Sequence, residues 1–352
     1  MTQIDPKTPR GDHEESQVAS GDTMKAIVST KYGPPDGLKL EAVEKPTPKN
    51  DEVFIKVHAT SVDAGDSHVL RGEPFLLRLM GYGLLKPKHK ILGAAMAGRV
   101  EAVGRNVKQL QPGDEVFGDL SECGRGAFAE YVCAREDALA LKPASVTFEE
   151  AAAVPVSAVT ALLGLRDKGH IQPGQKVLIH GAGGGVGTFA VQIAKSFGAY
   201  VTAVCSTRNV DRVRSLGADQ VIDYTQEDFT RNGQRYDLIL AVNGYHSIFD
   251  YKRALNPEGV YIMIGGSSAQ LYQAMLLGPL ISMTGRQKMS FIGVPKGNQK
   301  DLVFMKGLLE AGKVVPVIDR RYPLRETAEA IRYLEEGHAR GKVVITVDQN
   351  NP

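Results

Sequence analysis

The stretch that most restricts the fold is a cluster of glycines set between an apolar strand and an amphipathic helix. Seven glycines fall between Gly174 and Gly198, and the centre reads Val177-Leu178-Ile179-His180-Gly181-Ala182-Gly183-Gly184-Gly185-Val186-Gly187. Val186, Ala190, Ile193, Ala194 and Phe197 then recur at helical spacing, and a second apolar strand follows at Tyr200–Cys205. Strand, glycine turn, helix and strand in this order are the context of a dinucleotide-binding fingerprint. In the usual register the small positions are Ala182, Gly184 and Gly187. The first makes the tight turn, the second lets backbone approach a pyrophosphate, and the third lets helix pack on strand. Free N–H groups at the helix start, at Gly185 and Val186, are then placed to bind phosphates. His180, at the strand end, reads as a structural neighbour of this loop.

The end of the second strand selects the nicotinamide cofactor. An NAD site carries Asp or Glu about 20 residues beyond the loop, to grip the ribose 2′-hydroxyl. Here the strand closes Val204-Cys205-Ser206-Thr207-Arg208-Asn209, with no acid. Ser206 can donate to a 2′-phosphate and Arg208 can pair with it. NADPH is therefore expected over NADH.

Around this centre the chain divides in two. From Lys25 to Leu141 short β-rich segments alternate with turns such as Gln111-Pro112-Gly113-Asp114, which predicts a closed or partly closed β domain. After Pro143 comes an Ala-rich helical stretch, Phe148–Arg166, interrupted at Pro155. Strands and helices then alternate to Met289–Gly293, the pattern of a doubly wound parallel sheet. Helices at Leu302–Ala311 and Glu326–Glu336 and a strand at Lys342–Val347 complete the chain. Residues 1–23 are polar, without the apolar core of a secretory signal, and read as a disordered tail.

Charge and cysteine content narrow the classes further. The 42 Lys+Arg and 40 Asp+Glu nearly cancel, giving no overall field to gather nucleic acid or an anionic membrane. Three cysteines support neither a disulfide framework nor a four-cysteine zinc site, and point to a reducing, cytoplasmic compartment. Phe75–Leu85 and Leu271–Met283 are too interrupted for a membrane span. They read as core, substrate wall or oligomer contact, with a membrane-surface segment as the alternative.

Several stretches are similar to the medium-chain dehydrogenase/reductase superfamily, in its zinc-independent, quinone-oxidoreductase-like branch. They include Gly93-Ala94-Ala95-Met96-Ala97-Gly98, Pro112-Gly113-Asp114-Glu115-Val116, Gly126-Ala127-Phe128-Ala129-Glu130-Tyr131, Gly217-Ala218-Asp219-Gln220-Val221-Ile222-Asp223-Tyr224 and Gly341-Lys342-Val343-Val344. The resemblance implies an α/β fold: a GroES-like β-barrel catalytic domain plus a Rossmann doubly wound sheet. The domains expected are a tail (1–23), the catalytic domain (24–147), the NADP-binding domain (148–294), a return to the catalytic domain (295–347) and a second tail (348–352).

The same resemblance implies roles for residues. Tyr224 corresponds to a tyrosine that contacts the 2′-phosphate, joining Ser206, Thr207, Arg208 and Asn209 in that site. Asn209 stands where a lysine is usual, so Arg208 would supply the charge. Thr160 corresponds to a position under the nicotinamide ring. The catalytic-zinc ligand positions correspond to Asp63, Ala94 and Val156, so no zinc is expected. Only a set of His58, His68 and Asp63 would remain as ligands.

Without a metal, reduction needs a hydride and a proton donor. His68, in the segment Ser61–Gly72 that resembles the family's active-site loop, is the expected donor, since histidine titrates near neutrality. A mere cofactor contact is the competing role for His68. Ala95 and Ala241 stand where relatives often have acids. The expected substrate is a quinone or α,β-unsaturated carbonyl, with one-electron quinone reduction as a variant. The alternatives are a zinc-free alcohol/aldehyde or enoyl thioester reductase, and a catalytically silent NADPH-binding sensor or structural protein. An open sheet edge at Met289–Gly293 predicts a homo-oligomer, and the family's dimers and tetramers imply the same.

Overall fold

Two unlike sheets carry the protein in its computed structural model, which describes residues 23–75, 77–293 and 298–347, apart from the Met80 side chain. The two tails expected from the sequence lie outside these residues except for Thr23, and so does residue 294, where one domain was expected to end. Among the described residues no helix is long and apolar enough to cross a membrane.

The N-terminal half begins with β1 (Thr23–Val28) paired antiparallel to β2 (Lys39–Glu44). Then come β3 (Glu52–Val62), α1 (Ala64–Arg71), β4 (Ala95–Val103), β5 (Glu115–Asp119), β6 (Tyr131–Arg135) and β7 (Leu139–Leu141). β3 shows why these segments are strands. Val53, Ile55, Val57 and Ala59 alternate inward and are fully buried, while Glu52, Phe54, Lys56 and His58 alternate outward.

Two short Ala-rich helices follow, α2 (Phe148–Ala152) and α3 (Ser157–Leu162). Their alanines pack between the sheets, joining Ala59, Ala97 and Phe117 on one side to Val177, Ile179 and Leu240 on the other in a single core cluster. Small side chains let a helix backbone lie close to both layers.

The second sheet is built from β8 (Lys176–His180), α4 (Gly185–Ser196), β9 (Tyr200–Cys205), α5 (Val210–Ser215) and β10 (Gln220–Asp223). It continues through β11 (Tyr236–Ala241), α6 (Ile248–Ala254), β12 (Leu255–Met263), α7 (Ser268–Thr284) and β13 (Lys288–Phe291). All its pairings are parallel, in the order β10-β9-β8-β11-β12-β13. That order reverses between β8 and β11, the point at which such sheets bind ligands.

The chain then returns. After α8 (Gln299–Glu310), the strands β14 (Ile318–Pro323) and β15 (Lys342–Thr346) flank α9 (Thr327–Glu335) and join the first sheet, giving the order β14-β15-β3-β4-β5-β7. β15 lies antiparallel to β3, with Val343 opposite Val62.

Three details differ from the sequence reading. β2 was not foreseen, because five of its six residues are exposed and no buried alternation marks it. Ala127–Val132 does not form one strand: Ala129 makes an isolated bridge to Ala26, and β6 starts only at Tyr131. Ser61–Gly72 is not a loop, since α1 occupies most of it, started by a capping box between Asp63 and Asp66.

Candidate functional site

The glycine turn leaves β8 and enters α4 with a division of labour among its residues. Gly181 takes φ +89°, and a Cβ there would lie 2.4 Å from the Asn243 carbonyl oxygen. The sharp turn is thus made at Gly181, one residue earlier than the register that assigned it to Ala182. Ala182 is instead buried beneath the turn, and its N–H donates to the Val204 oxygen at 3.0 Å. A Cβ on Gly187 would come 2.1 Å from the Gly181 oxygen, so here helix and strand touch through bare backbone. Gly184 differs from both. It caps α4 in extended conformation, and beyond it nothing lies nearer than 3.9 Å to where a Cβ would point. Open space faces the first turn of a helix whose leading N–H groups have no intrahelical acceptor, and Gly185 and Val186 belong to that turn.

At the end of β9, Ser206 opens a short helical turn holding Thr207, Arg208 and Asn209. Asn209 is buried against Gly183, and its Nδ2 donates to Ser206 Oγ at 3.2 Å. Its Oδ1 is buried with no partner among the described residues. Thr207 and Arg208 are exposed, and Arg208 Nη2 donates to the His338 carbonyl at 3.3 Å. Tyr224 is also exposed, with its N–H bonded to the Cys205 oxygen at 3.1 Å. The structure therefore gathers Ser206, Thr207, Arg208, Asn209 and Tyr224 at one sheet end. The open space at Gly184 and the orphaned Asn209 oxygen fit a dinucleotide there.

A carboxylate that the sequence reading passed over shares this end. Asp223 pairs with Cys205 across the strands, and its Oδ1 accepts from Thr225 N and Oγ1 at 2.9 and 2.8 Å. The Thr207 hydroxyl, then those Thr225 bonds, hold it below the usual carboxylate range.

His180 closes β8, buried, with Nδ1 2.8 Å from the Tyr251 hydroxyl. Burial drives its pKa down to about 3, with His246 adding to the effect. It is neutral and structural.

Beside the start of α4 the site is built from side chains far apart in sequence. The Lys342 ammonium is 2% exposed and donates to Asp63 Oδ1 and, at 3.0 Å, to Ser157 Oγ. Ser157 Oγ donates to the same Asp63 oxygen at 2.7 Å. Asp63 caps α1, Ser157 starts α3 and Lys342 opens β15. The three meet at α4, since a Cβ on Gly185 would lie 3.2 Å from Lys342 Cδ and 3.6 Å from Ser157 Oγ. Thr160, buried, stands three residues beyond Ser157 and shares its face of α3.

A second buried pair lies behind the first. Asp66 takes the Asp63 N–H at 3.0 Å and the Arg125 guanidinium at 2.7 Å. Burial raises the Asp66 carboxyl to about 6, Arg125 opposing the shift. Arg125 reaches it from a left-handed conformation, φ 65°. These pairs fix α1, whose opposite face exposes Ala64, Gly65 and His68 to solvent. His68 is thus on the open side of the helix that Asp63 caps, while Arg71 on the same helix makes a bidentate pair with Glu335 at 2.6 Å.

The positions corresponding to zinc ligands offer a poor donor set. Ala94 and Val156 carry no ligand atom, and Asp63 is taken up by an ammonium group. His58 stacks on Phe148 with ring centres 4.2 Å apart. Among the described residues no group of three or more His, Cys, Asp or Glu side chains is placed to hold a metal. Sequence reasoning quoted Lys342 within Gly341–Val344 but gave it no role, and it passed over Ser157 and Arg125. Only Lys342 carried a signal, a lone lysine leading an apolar strand.

Comparison with known proteins places this geometry. Residues 49–144 match the family described as "Alcohol dehydrogenase GroES-like domain", and residues 216–345 match "Zinc-binding dehydrogenase". The "Chloroplast envelope quinone oxidoreductase homolog" of Arabidopsis thaliana is 35% identical over 341 residues, covering 93% of this chain and 99% of that protein. The "NADPH-dependent alkenal/one oxidoreductase, chloroplastic" of the same plant is 34% identical, covering 92% and 79%. The solved quinone oxidoreductase from Coxiella burnetii superposes with a TM-score of 0.82 at 30% identity, over 93% of this chain and 100% of that one.

Proposed function

The chain belongs to the medium-chain dehydrogenase/reductase superfamily, as an oxidoreductase of its quinone-oxidoreductase-like branch, and on that premise we propose that it is an NADPH-dependent, zinc-independent reductase of quinones and α,β-unsaturated carbonyls. The observation that carries this reading is the Asp63–Lys342 pair seated against Gly185. The acid at the first metal-ligand position serves a buried lysine instead, so charge control in the cleft falls to protein groups.

The nicotinamide supplies hydride when bound. The turn at Gly184, Gly185, Val186 and Gly187, over Ala182, holds the pyrophosphate. Ser206, Thr207, Arg208, Asn209 and Tyr224 would hold the 2′-phosphate, and Thr160 would meet the carboxamide. Asp63, Ser157 and Lys342 lock α1 to α3 and α4, which fixes His68 relative to the cofactor site. His68 then gives a proton to the reduced acceptor, as a positioned general acid.

Oxidation of NADPH and NADH, followed at the nicotinamide absorbance, tests the reading against benzoquinone, an alkenal, an aldehyde and a crotonyl thioester. We expect NADPH to be preferred and the quinone and alkenal to be reduced, at rates a chelator leaves unchanged. Tight NADPH binding with no acceptor reduced would favour the silent-sensor alternative, and chelator inhibition would sink the metal-free claim.

We also propose a homo-oligomer through the free edge of β13. Tyr272, Met275, Leu276, Leu280 and Met283 of the adjoining α7 are exposed, as is Phe291 of β13 itself. Light scattering should then give a multiple of 38.0 kDa that Leu276→Asp/Leu280→Asp halves. The three cysteines are free thiols, which supports a reducing compartment, the cytoplasm.

A further inference from the structure

We infer that the segment from Phe75 to Lys90 is a docking surface for an anionic lipid bilayer. Four large apolar side chains stand out from it: Phe75 is 59% exposed, Leu79 61%, Leu84 53% and Leu85 89%. A single exposed leucine is ordinary, but four large exposed apolar side chains within eleven residues mark an interaction surface. The charge is equally one-sided. Between Asp66 and Glu101 the chain carries Arg71, Arg78, Lys86, Lys88, Lys90 and Arg99 against one carboxylate, Glu73, although the whole chain is only +2. Arg71 is spent on Glu335, Arg99 on Glu115 and Arg78 on the Gly72 carbonyl. Lys86, Lys88 and Lys90 are exposed and have no ion pair among the described residues. The near-neutral total hides this local field.

The leucines are held outward. The Tyr32 hydroxyl lies 2.8 and 2.6 Å from the carbonyls of Tyr82 and Gly83, and the Lys88 N–H closes the turn onto Tyr82 O at 2.8 Å. Gly83 turns at φ +105°, where a Cβ would strike the Lys86 carbonyl, and Pro87 is buried beneath. The Arg78 guanidinium stacks 4.4 Å above the Tyr32 ring. Leu84 and Leu85 project between these anchors, and with Lys86 and Lys88 they border an open recess of about 810 Å³.

Leucines ringed by unpaired lysines suit a bilayer rather than a protein partner. Lysine is depleted in protein–protein interface cores, whereas at a membrane its stem lies along the apolar boundary while its head meets lipid phosphate. Arg78 ties this segment to the end of α1, which carries His68. A lipophilic acceptor would therefore leave the bilayer beside the candidate site. That consequence rests on the proposed function; the docking does not.

Co-sedimentation of the full chain with vesicles tests it without any substrate, so its failure is separate from a failure of the reductase reading. With about 30% phosphatidylserine in phosphatidylcholine, the bound fraction should exceed that on phosphatidylcholine alone by about fivefold or more, and high salt should remove the gain. Lys86→Glu/Lys88→Glu/Lys90→Glu and Leu84→Asp/Leu85→Asp should each fall to the phosphatidylcholine level, with circular dichroism unchanged. If the leucine variant misfolds, the lysine variant and the salt series decide. The inference is overturned if the wild type does not prefer anionic vesicles, or if a folded variant still binds them. It is also overturned if the leucine variant lowers the solution mass, since the patch then joins proteins.

Discussion

The glycine turn and the Asp63–Lys342 crossing meet at Gly185 and are made in opposite ways. The turn is backbone: Gly181, Gly184 and Gly187 act by lacking a Cβ, and they fall within seven consecutive residues. The crossing is side chain: Asp63, Ser157 and Lys342 come from three separate elements and are almost wholly withdrawn from water. A backbone site tolerates loss of neighbouring side chains but not the addition of one methyl group. A buried ion pair behaves conversely, tolerating joint replacement but not the loss of one member.

That contrast can be broken most forcefully at the crossing. Lys342→Met leaves Asp63 charged and buried, and should cost about 3–5 kcal/mol of stability in denaturant unfolding. Lys342→Met/Asp63→Leu should recover most of it; no recovery would mean that the pair does more than satisfy itself. On the turn, Gly184→Val should fold normally, since open space faces it, yet weaken NADPH binding by about 10²–10³-fold, roughly 3–4 kcal/mol, in a fluorescence titration. Equal loss of stability in that variant would show that the space is not a ligand's.

His68→Phe should lower alkenal reduction by about 10²-fold and leave one-electron quinone reduction near wild type. Equal loss with both acceptors would assign His68 to cofactor contact. Next comes acid sensitivity. His180 is neutral when folded and takes a proton on unfolding, so stability is full above pH ~6.5 and falls as pH drops toward 3, by roughly 2 kcal/mol at pH 5. His180→Asn should flatten that slope in urea melts. The smallest effect is at Arg208, where Arg208→Ala should reduce the preference for NADPH over NADH by about tenfold, read as a kcat/KM ratio.

The same contrast explains what the sequence disclosed. The turn was legible because its chemistry is local: strand, glycines and helix declare themselves in one window, with an error of a single residue between Ala182 and Gly181. The alternation of β8–β13 with helices was legible for the same reason. The crossing was not, because 279 residues separate Asp63 from Lys342 and no periodicity joins them. Asp223 escaped notice because it reaches the end of β9 from the neighbouring strand rather than along β9 itself. α1 hid inside a family likeness: Asp63 was weighed as a ligand position in a loop, and its three-residue spacing to Asp66 as a capping box was overlooked. β2 shows the limit of patterning, since a strand with five of its six residues exposed buries too little to impose one.

The late return of the chain also sets an order of assembly. β15 is the last strand described, yet it lies between β14 and β3 and brings the cation that pairs with Asp63. During synthesis the first half of the protein emerges with a carboxylate awaiting a counter-ion more than two hundred residues behind it on the ribosome. Until that lysine arrives, Asp63 has its bond from Ser157 of α3 but not the Lys342 charge. The buried crossing is therefore completed only when the final strand docks, and a chain that stops short of that strand has the glycine turn without the Lys342 charge beside it.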